Sequence, residues 1–211
     1  MDPKKQYYEN TANTIIKNLN KRQMNGYYCP DTESARKKVL ELLPEGASVG
    51  WGGSMTLNET GILPAIIEGP YREINRDKAI TPEEQKKVYS EIFSCDYFLM
   101  STNAITLDGE LVNVDGRANR VAFLCFGPEN VIVVAGMNKV MPDLESAMKR
   151  VRNIAAPPNT VRLHKNTPCA VTGRCGECLS PDCICSQIVI TRRSGVPGRI
   201  TVVLVGEELG F

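Results

Sequence analysis

The sequence has no long hydrophobic run, almost no net charge and a single histidine, and each absence excludes a class of protein. No apolar stretch in the 211 residues is long enough to cross a bilayer, and the polar residues 1–6 lead into no signal-type apolar run. A net charge of +1 gives no electrostatic basis for binding nucleic acid or a membrane surface. With His164 alone and no Gly-x-Ser-x-Gly motif, a Ser-His-Asp hydrolase is disfavoured. We therefore expect a cytoplasmic globular protein.

The sequence instead contains an alternation of helical and strand-like segments. Apolar residues spaced three and four apart predict a first helix within residues 3–23. The Thr81-Pro82-Glu83-Glu84 segment is typical of a capped helix start. Short apolar or β-branched runs at 47–50, 96–102 and 130–135 predict buried strands. This alternation predicts an α/β fold: a Rossmann-like, mainly parallel sheet with helices on both faces.

The second half of the chain contains a predicted hairpin and a segment of different composition. The Asp-Gly pair at 108–109 predicts a hairpin within residues 105–113. Residues 159–185 are loop-like and rich in cysteine, and the β-rich runs at 187–191 and 200–205 are predicted to join the same sheet as late strands. We therefore expect a single domain over residues 1–211, with an N-terminal helix in 1–25 and a cysteine-rich loop inserted at 159–185.

Residues 49–61 form the segment in which we expect the binding site. They follow the predicted strand at 47–50, and Gly52 and Gly53 allow the backbone to turn sharply before a helix-compatible pattern begins at Ser54. Free backbone N–H groups and a helix N-terminus in such a turn face a carboxylate or phosphate. The segment is neither the dinucleotide fingerprint nor a nucleotide P-loop. A tight turn that requires glycine for steric reasons explains it equally well.

Polar side chains flank the predicted strand ends, where the ligand crevice of an open α/β sheet lies. Glu59 and Asp115 are candidate general bases or nucleophiles, and Arg120 is a candidate clamp for a carboxylate. Capping or packing also explains some of these residues, and the role of Asp115 stays open. The ligand-binding candidates are Gly52, Gly53, Ser54, Asn58, Thr60, Asn103, Asn119 and Arg120.

Five of the eight cysteines lie between residues 169 and 185, in the pattern Cys169-x5-Cys175-x2-Cys178-x4-Cys183-x-Cys185. A Cys-x-x-Cys pair lets two thiolates reach one metal from a tight turn, and further cysteines complete a four-sulfur site. Zinc and an iron–sulfur cluster are both compatible with such ligands. Free thiols, or a redox-labile disulfide between the central pair, are the alternatives. The apolar surroundings of the remaining cysteines predict core positions for Cys29, Cys95 and Cys125.

Three segments, at residues 50–61, 102–113 and 115–122, together resemble the lactate-utilisation (LUD) domain family over about residues 10–205. The resemblance implies the fold shared with ribose-5-phosphate isomerase, glucosamine-6-phosphate deaminase and CoA-transferases. The cysteine segment is similar to that of one small branch of the family. In that pattern the matching ligands are Cys169, Cys175, Cys178 and Cys185, and Cys183 is the spare thiol.

The resemblance also implies candidate functions. Family members act beside an iron–sulfur subunit and a flavin- or iron–sulfur-containing subunit in oxidising L-lactate to pyruvate, and others stand alone. Because the chain lacks the long ferredoxin-like extension of the iron–sulfur subunit, it resembles the small accessory component or an orphan relative. We expect a small anionic ligand and, in that system, lactate-oxidation subunits as partners. An isomerase- or CoA-transferase-like enzyme and a non-catalytic metal-stabilised binding protein are the alternatives, and a homo-oligomer is left open.

Overall fold

The computed structural model describes residues 2–211 as two sheets with helices packed around them. The strands are β1 (Asn25–Cys29), β2 (Ser48–Trp51), β3 (Arg72–Ile74), β4 (Tyr97–Met100), β5 (Ala104–Thr106), β6 (Leu111–Asp115), β7 (Asn130–Gly136), β8 (Val140–Met141), β9 (Gln187–Thr191) and β10 (Ile200–Val205). The α-helices are α1 (Pro3–Lys21), α2 (Thr32–Glu41), α3 (Met55–Glu59), α4 (Ile62–Ile67), α5 (Pro82–Phe93), α6 (Asn119–Cys125), α7 (Leu144–Arg150), α8 (Ala156–Arg162) and α9 (Pro168–Thr172).

The larger sheet has six parallel strands in the order β1-β10-β7-β4-β2-β3 within residues 2–211. Its central strands are buried on both faces, as their β-branched sequences predict. Val131 and Val133 of β7 pack into the core under α1, α5 and α6. Ile132 and Val134 alternate with them and pack into the core under α2, α3 and α4. The predicted Rossmann-like sheet with helices on both faces is confirmed.

The smaller sheet has the order β8-β5-β6-β9 among the described residues. Strands β5 and β6 form the antiparallel hairpin that the Asp-Gly pair predicts, so this prediction is confirmed. Strand β9 pairs antiparallel with β6. The prediction that β9 joins the same sheet as β10 is therefore wrong. The physical difference is burial: β10 is buried throughout, whereas β9 is a half-exposed edge strand.

Strand β1 is an element that the sequence did not predict. Its glycine, Gly26, is a weak strand former, and the following Cys29-Pro30 reads as a helix break. A Cβ atom at Gly26 would lie 2.9 Å from Cγ1 of Ile16 and 3.0 Å from Cδ1 of Leu19. The glycine therefore allows α1 to pack directly against the edge of the sheet.

Helix α7 continues through a π-helical turn at Val151–Ala155 into α8, although Pro157 and Pro158 lie at the start of α8. Proline lacks the N–H of a regular helix, and the wider π turn changes the hydrogen-bond register just before the two prolines. The predicted loop at 159–185 thus contains most of α8 and all of α9. Among residues 2–211, no helix is both long and apolar enough to cross a membrane.

Candidate functional site

A cleft of about 470 Å³ opens where strand β4 ends and the glycine segment after β2 begins. Strands β2 and β4 remain paired up to Gly52, whose N–H donates to the Leu99 carbonyl at 2.9 Å. The cleft is basic, since six basic side chains line it against two acidic side chains. These basic residues are Arg76, Arg117, Arg120, Lys139, Arg162 and Lys165, and the acidic ones are Asp115 and Asp182.

The glycine segment and the region from 103 to 120 meet at this cleft. A Cβ atom at Gly52 would lie 3.1 Å from Cγ of Arg120, and one at Gly53 would lie 3.3 Å from Nη2 of Arg76. The two glycines therefore let the backbone pass close to two arginine side chains. Six of the predicted site residues line the cleft: Gly53, Ser54, Asn103, Asp115, Asn119 and Arg120.

Arg120 uses all of its N–H donors inside the protein. Its Nε donates to Asp115 Oδ1 at 3.0 Å, and Nη1 donates to the Ser101 carbonyl and to Asn113 Oδ1. Its Nη2 donates to Asn103 Oδ1 at 2.9 Å and to the Val114 carbonyl at 3.0 Å. Because a guanidinium carries five N–H groups, these contacts leave none free for a ligand. They favour a structural role over the predicted carboxylate clamp.

Both carboxylate oxygens of Asp115 also have partners inside the protein. Oδ1 forms an ion pair with Arg120 at 2.8 Å, and Oδ2 accepts the backbone N–H of Val121 at 2.9 Å. Both oxygens therefore hold the start of α6 and the Arg120 side chain against β6. This arrangement orients the cleft wall, and it leaves Asp115 little acceptor capacity for the role of general base or nucleophile.

Four predicted residues lie outside the lining of the cleft: Gly52, before α3, and Asn58, Glu59 and Thr60, on α3 and at its C-terminus. Ser54, at the rim, caps α3 by accepting the Leu57 N–H at 3.2 Å. Thr60 is buried and donates to the Thr56 and Leu57 carbonyls. Glu59 accepts the Gly210 N–H at 2.7 Å, and Asn58 is exposed. Helix α3 spans only five residues, so its dipole is a minor part of the site.

The cleft contains a buried lysine that the sequence analysis missed. Lys139 is 3% exposed, and its Nζ donates to Thr56 Oγ1 and to Ser101 Oγ, both at 2.9 Å. Burial is the main cause that lowers the pKa of Lys139 to about 7, with smaller contributions from the positive charges of Arg150 and Arg120. Glu59 acts weakly in the opposite direction. A lysine in this state is poised between the ammonium and the amine near neutral pH.

Arg150 is the second buried cation behind the cleft. It is 3% exposed, and it donates to the carbonyls of Asn138 at 2.9 Å and Asn103 at 2.6 Å. Burial lowers its pKa to about 10. The one sequence signal for Lys139 was its position three residues after the buried strand β7, at the carboxyl end of the sheet. That position fits a residue of the crevice, but a single lysine forms no motif.

A second cavity, of about 180 Å³, lies beside the cleft, and all five cysteines of the 169–185 region line it. Its other walls are mostly apolar and come from β6, the helix running from α7 to α8, and β9. Cys183, Ile184 and Val114 line both cavities. Among residues 2–211, no three side chains of histidine, cysteine, aspartate or glutamate converge on a point where they could hold one metal ion.

Specific contacts hold the cysteine segment on this cavity. Arg152 pairs with Glu177 at 2.6 Å, and the Cys175 N–H donates to Asn153 Oδ1 at 3.3 Å. Burial and the neighbouring thiols raise the pKa of Cys185 to about 11. Elsewhere, Cys29 and Cys95 are buried as predicted. The prediction for Cys125 is wrong: it is exposed because it lies on the outer face of α6.

A comparison with protein families matches the LUD domain over residues 12–205. The chain belongs to the LUD domain family. This confirms the resemblance that the three segments carry. A comparison with curated proteins found no matching relative of this LUD-domain protein.

A comparison with solved structures found proteins that are similar to this LUD-domain chain. A DUF162 family protein from Deinococcus radiodurans is similar over 94% of this chain and 97% of that chain, with a TM-score of 0.56 and 12% identity. Ribose 5 phosphate isomerase A from Neisseria gonorrhoeae aligns with 54% of this chain and 54% of its own, with a TM-score of 0.38 and 14% identity. The first of these agrees with the α/β architecture described above.

Proposed function

We propose that this LUD-domain protein binds a small carboxylate or phosphate beside Lys139, as a component of a lactate-utilisation type of system. The observation that carries the proposal is that Lys139 is buried among hydroxyl groups rather than carboxylates. In such a system its partners would be lactate-oxidation subunits.

The electrostatics of the cleft support an anionic ligand. Burying an ammonium group is costly unless a negative charge faces it, and the hydroxyls of Thr56 and Ser101 are neutral. Arg150 and Arg120 add charge of the same sign, and Glu59 opposes it only weakly. An anion in the cleft would supply the opposite charge and favour the ammonium form of Lys139.

The hydrogen-bonding capacity of Lys139 also fits a ligand. An ammonium group has three N–H donors, and two of them point to Thr56 and Ser101. We infer that the third donates to a ligand oxygen, because Lys139 has only these two hydrogen-bond partners among the described residues. Gly53 and Ser54 line the same cleft, with Gly53 exposed and Ser54 half-buried, and their lack of bulk leaves room for a small anion.

The low pKa of Lys139 supports a second candidate function, a stand-alone enzyme of the isomerase type. A neutral amine with a pKa of about 7 is suited to accept a proton near neutral pH. In this function Lys139 would take a proton from a carbon next to the carbonyl of a sugar phosphate or acyl compound and return it at the neighbouring position. Exchange of such a proton with deuterated water distinguishes this function from binding alone.

The binding test is a thermal-shift titration with L-lactate, pyruvate, phosphate and sulfate, each compared with chloride at equal ionic strength. We expect at least one of these anions to raise the melting temperature of the wild-type protein. The variant Lys139→Met should reduce the affinity for that anion by about tenfold or more, since it removes the buried charge.

The matched control is Lys149→Met, because Lys149 is an exposed lysine of α7 paired with Glu145. Its affinity for the anion should equal that of the wild type. Stabilisation by lactate or pyruvate supports a carboxylate ligand, and stabilisation by phosphate or sulfate supports a phosphoryl ligand. Equal binding by Lys139→Met and the wild type would refute the proposed site.

A further inference from the structure

We propose that the ligand of the basic cleft carries two anionic groups, a carboxylate beside Lys139 and a phosphate at the rim that Arg117 and Arg162 bind. The ligand would then be a small phosphorylated carboxylic acid. This inference rests on the proposed binding of an anion beside Lys139, and it adds a second subsite to that site.

The charges that line the cleft do not balance within the protein. Both acidic residues are matched, because Asp115 Oδ1 lies 2.8 Å from Arg120 Nη2 and Asp182 Oδ1 lies 3.7 Å from Lys165 Nζ. Three further cations of the lining form no ion pair among residues 2–211, and a single carboxylate would balance only one of them. These three are Lys139, Arg117 and Arg162.

Arg76 is a fourth cation of the lining, and its charge is only weakly compensated. Its Nε lies 3.4 Å from Oδ1 of the neighbouring Asp77, whose side chain is exposed. Ion pairs on the surface contribute little. Nη2 of Arg76 would lie 3.3 Å from a Cβ at Gly53, so the guanidinium lies against the glycine segment. Arg76 therefore adds to the positive potential of the cleft.

The three unpaired cations lie at different depths. Lys139 is 3% exposed, whereas Arg117 and Arg162 are exposed. A ligand with one anionic group places its charge at one of these depths, whereas a ligand with two groups can place charge at both. The volume of the cleft, about 470 Å³, is in the range of sites that hold whole organic ligands.

The side chain of Arg162 is held in place but keeps free donors. Its Nε and Nη2 donate to Asn159 Oδ1 at 3.0 Å and 2.7 Å, and Asn159 also lines the cleft. Because a guanidinium carries five N–H groups, three of those of Arg162 have no acceptor among the described residues. The planar fork of arginine binds two phosphate oxygens at once. We therefore place the phosphate at the arginines and the carboxylate at the compact ammonium group of Lys139.

The charge of such a ligand fits the unpaired cations. A phosphate monoester carries a charge of about −1.5 to −2 at pH 7, and the carboxylate adds one more negative charge. A phosphorylated carboxylic acid thus approaches the combined charge of Lys139, Arg117 and Arg162. Walls of one charge sign also raise the local concentration of a ligand of the opposite sign.

The test is a calorimetric titration of the full-length protein with matched probes at equal ionic strength. 2-Phosphoglycolate and 3-phosphoglycerate carry both groups, glycerate carries only the carboxylate, and glycerol 3-phosphate carries only the phosphate. We expect at least one two-group probe to bind about tenfold or more tightly than either single-group probe, since a hydrogen bond between charged groups contributes on that scale.

A double variant tests the subsite at the rim. Arg117→Met/Arg162→Met should lower the affinity for the two-group probe by about tenfold or more and leave the affinity for glycerate unchanged. The matched control is Arg174→Met/Arg193→Met, which removes two exposed arginines that do not line the cleft. The control should bind every probe as the wild type does.

The outcomes distinguish this inference from the proposed function. If a single-group anion binds in a way that depends on Lys139, and neither two-group probe binds more tightly, the second subsite is wrong and the proposed anion site stands. Equal affinity of the rim variant and its control for the two-group probe would also overturn the second subsite. No binding of any probe, or binding that Lys139→Met leaves unchanged, would refute both.

Discussion

Arg120 and Lys139 carry the same charge in the same cleft but use it differently. Arg120 donates five hydrogen bonds to fixed acceptors of the protein, so it holds the cleft wall together. Lys139 makes only two, both to hydroxyl groups. An arginine in a polar motif is conspicuous in the sequence, whereas the lysine stands outside every motif. The sequence therefore pointed to six residues that line the cleft, but it did not point to Lys139.

The variant Arg120→Met tests the structural role of Arg120. It should lower the free energy of unfolding by about 3–5 kcal/mol, because Asp115 and Asn103 lose their shared, largely buried partner. The measurement is chemical denaturation followed by circular dichroism. The control is Arg117→Met, an exposed arginine at the rim of the same cleft, which should change stability by less than about 0.5 kcal/mol. Equal effects of the two substitutions would mean that the network around Arg120 contributes little.

At the scale of elements, the sequence was sufficient to predict those elements that depend on interactions between neighbouring residues. Helix α5 begins with the predicted capping box, in which Thr81 accepts the Glu84 N–H at 3.2 Å and Glu84 accepts the Thr81 N–H at 2.9 Å. The pairing of β9 with β6 and the formation of β1 depend on distant parts of the chain. Because those partners are far away in the sequence, the neighbouring residues do not indicate them. The sheet of β9 was therefore predicted wrongly, and β1 was not predicted.

The variant Gly26→Ala tests the close packing of α1 on β1. The added Cβ would meet Ile16 and Leu19 at 2.9 Å and 3.0 Å, so we expect a loss of about 1–3 kcal/mol in the free energy of unfolding. Gly195→Ala is the matched control, because no atom lies within 4 Å of its added Cβ, and it should be neutral within about 0.5 kcal/mol. Thermal and chemical denaturation of both variants measure the difference. Unchanged stability of Gly26→Ala would show that α1 can move away from the sheet without loss.

At the scale of the whole molecule, residues of the smaller sheet border two cavities. Strand β6 contributes Val114 to both of them, and Gly116, just after it, packs against the backbone of Cys183 and Ile184. A Cβ at Gly116 would lie 3.2 Å from the Cys183 carbonyl oxygen. The basic cleft and the cysteine cavity are therefore neighbours with one common wall. The alternation of strands and helices made the larger sheet predictable. The position of the two cavities next to each other depends instead on the smaller sheet.

In the function that we propose, Lys139 is a buried cation whose missing counter-charge is an anionic ligand. Its direct test is the pKa of Lys139, measured by NMR on protein with isotope-labelled lysine and assigned by comparison with Lys139→Met. Without added anion we predict a pKa of about 7, because burial and two arginines favour the neutral amine. A saturating concentration of phosphate or pyruvate, whichever stabilises the protein, should raise this pKa. The affinity for that anion should fall as the pH rises above 7. An ordinary lysine pKa that no anion changes would contradict the account.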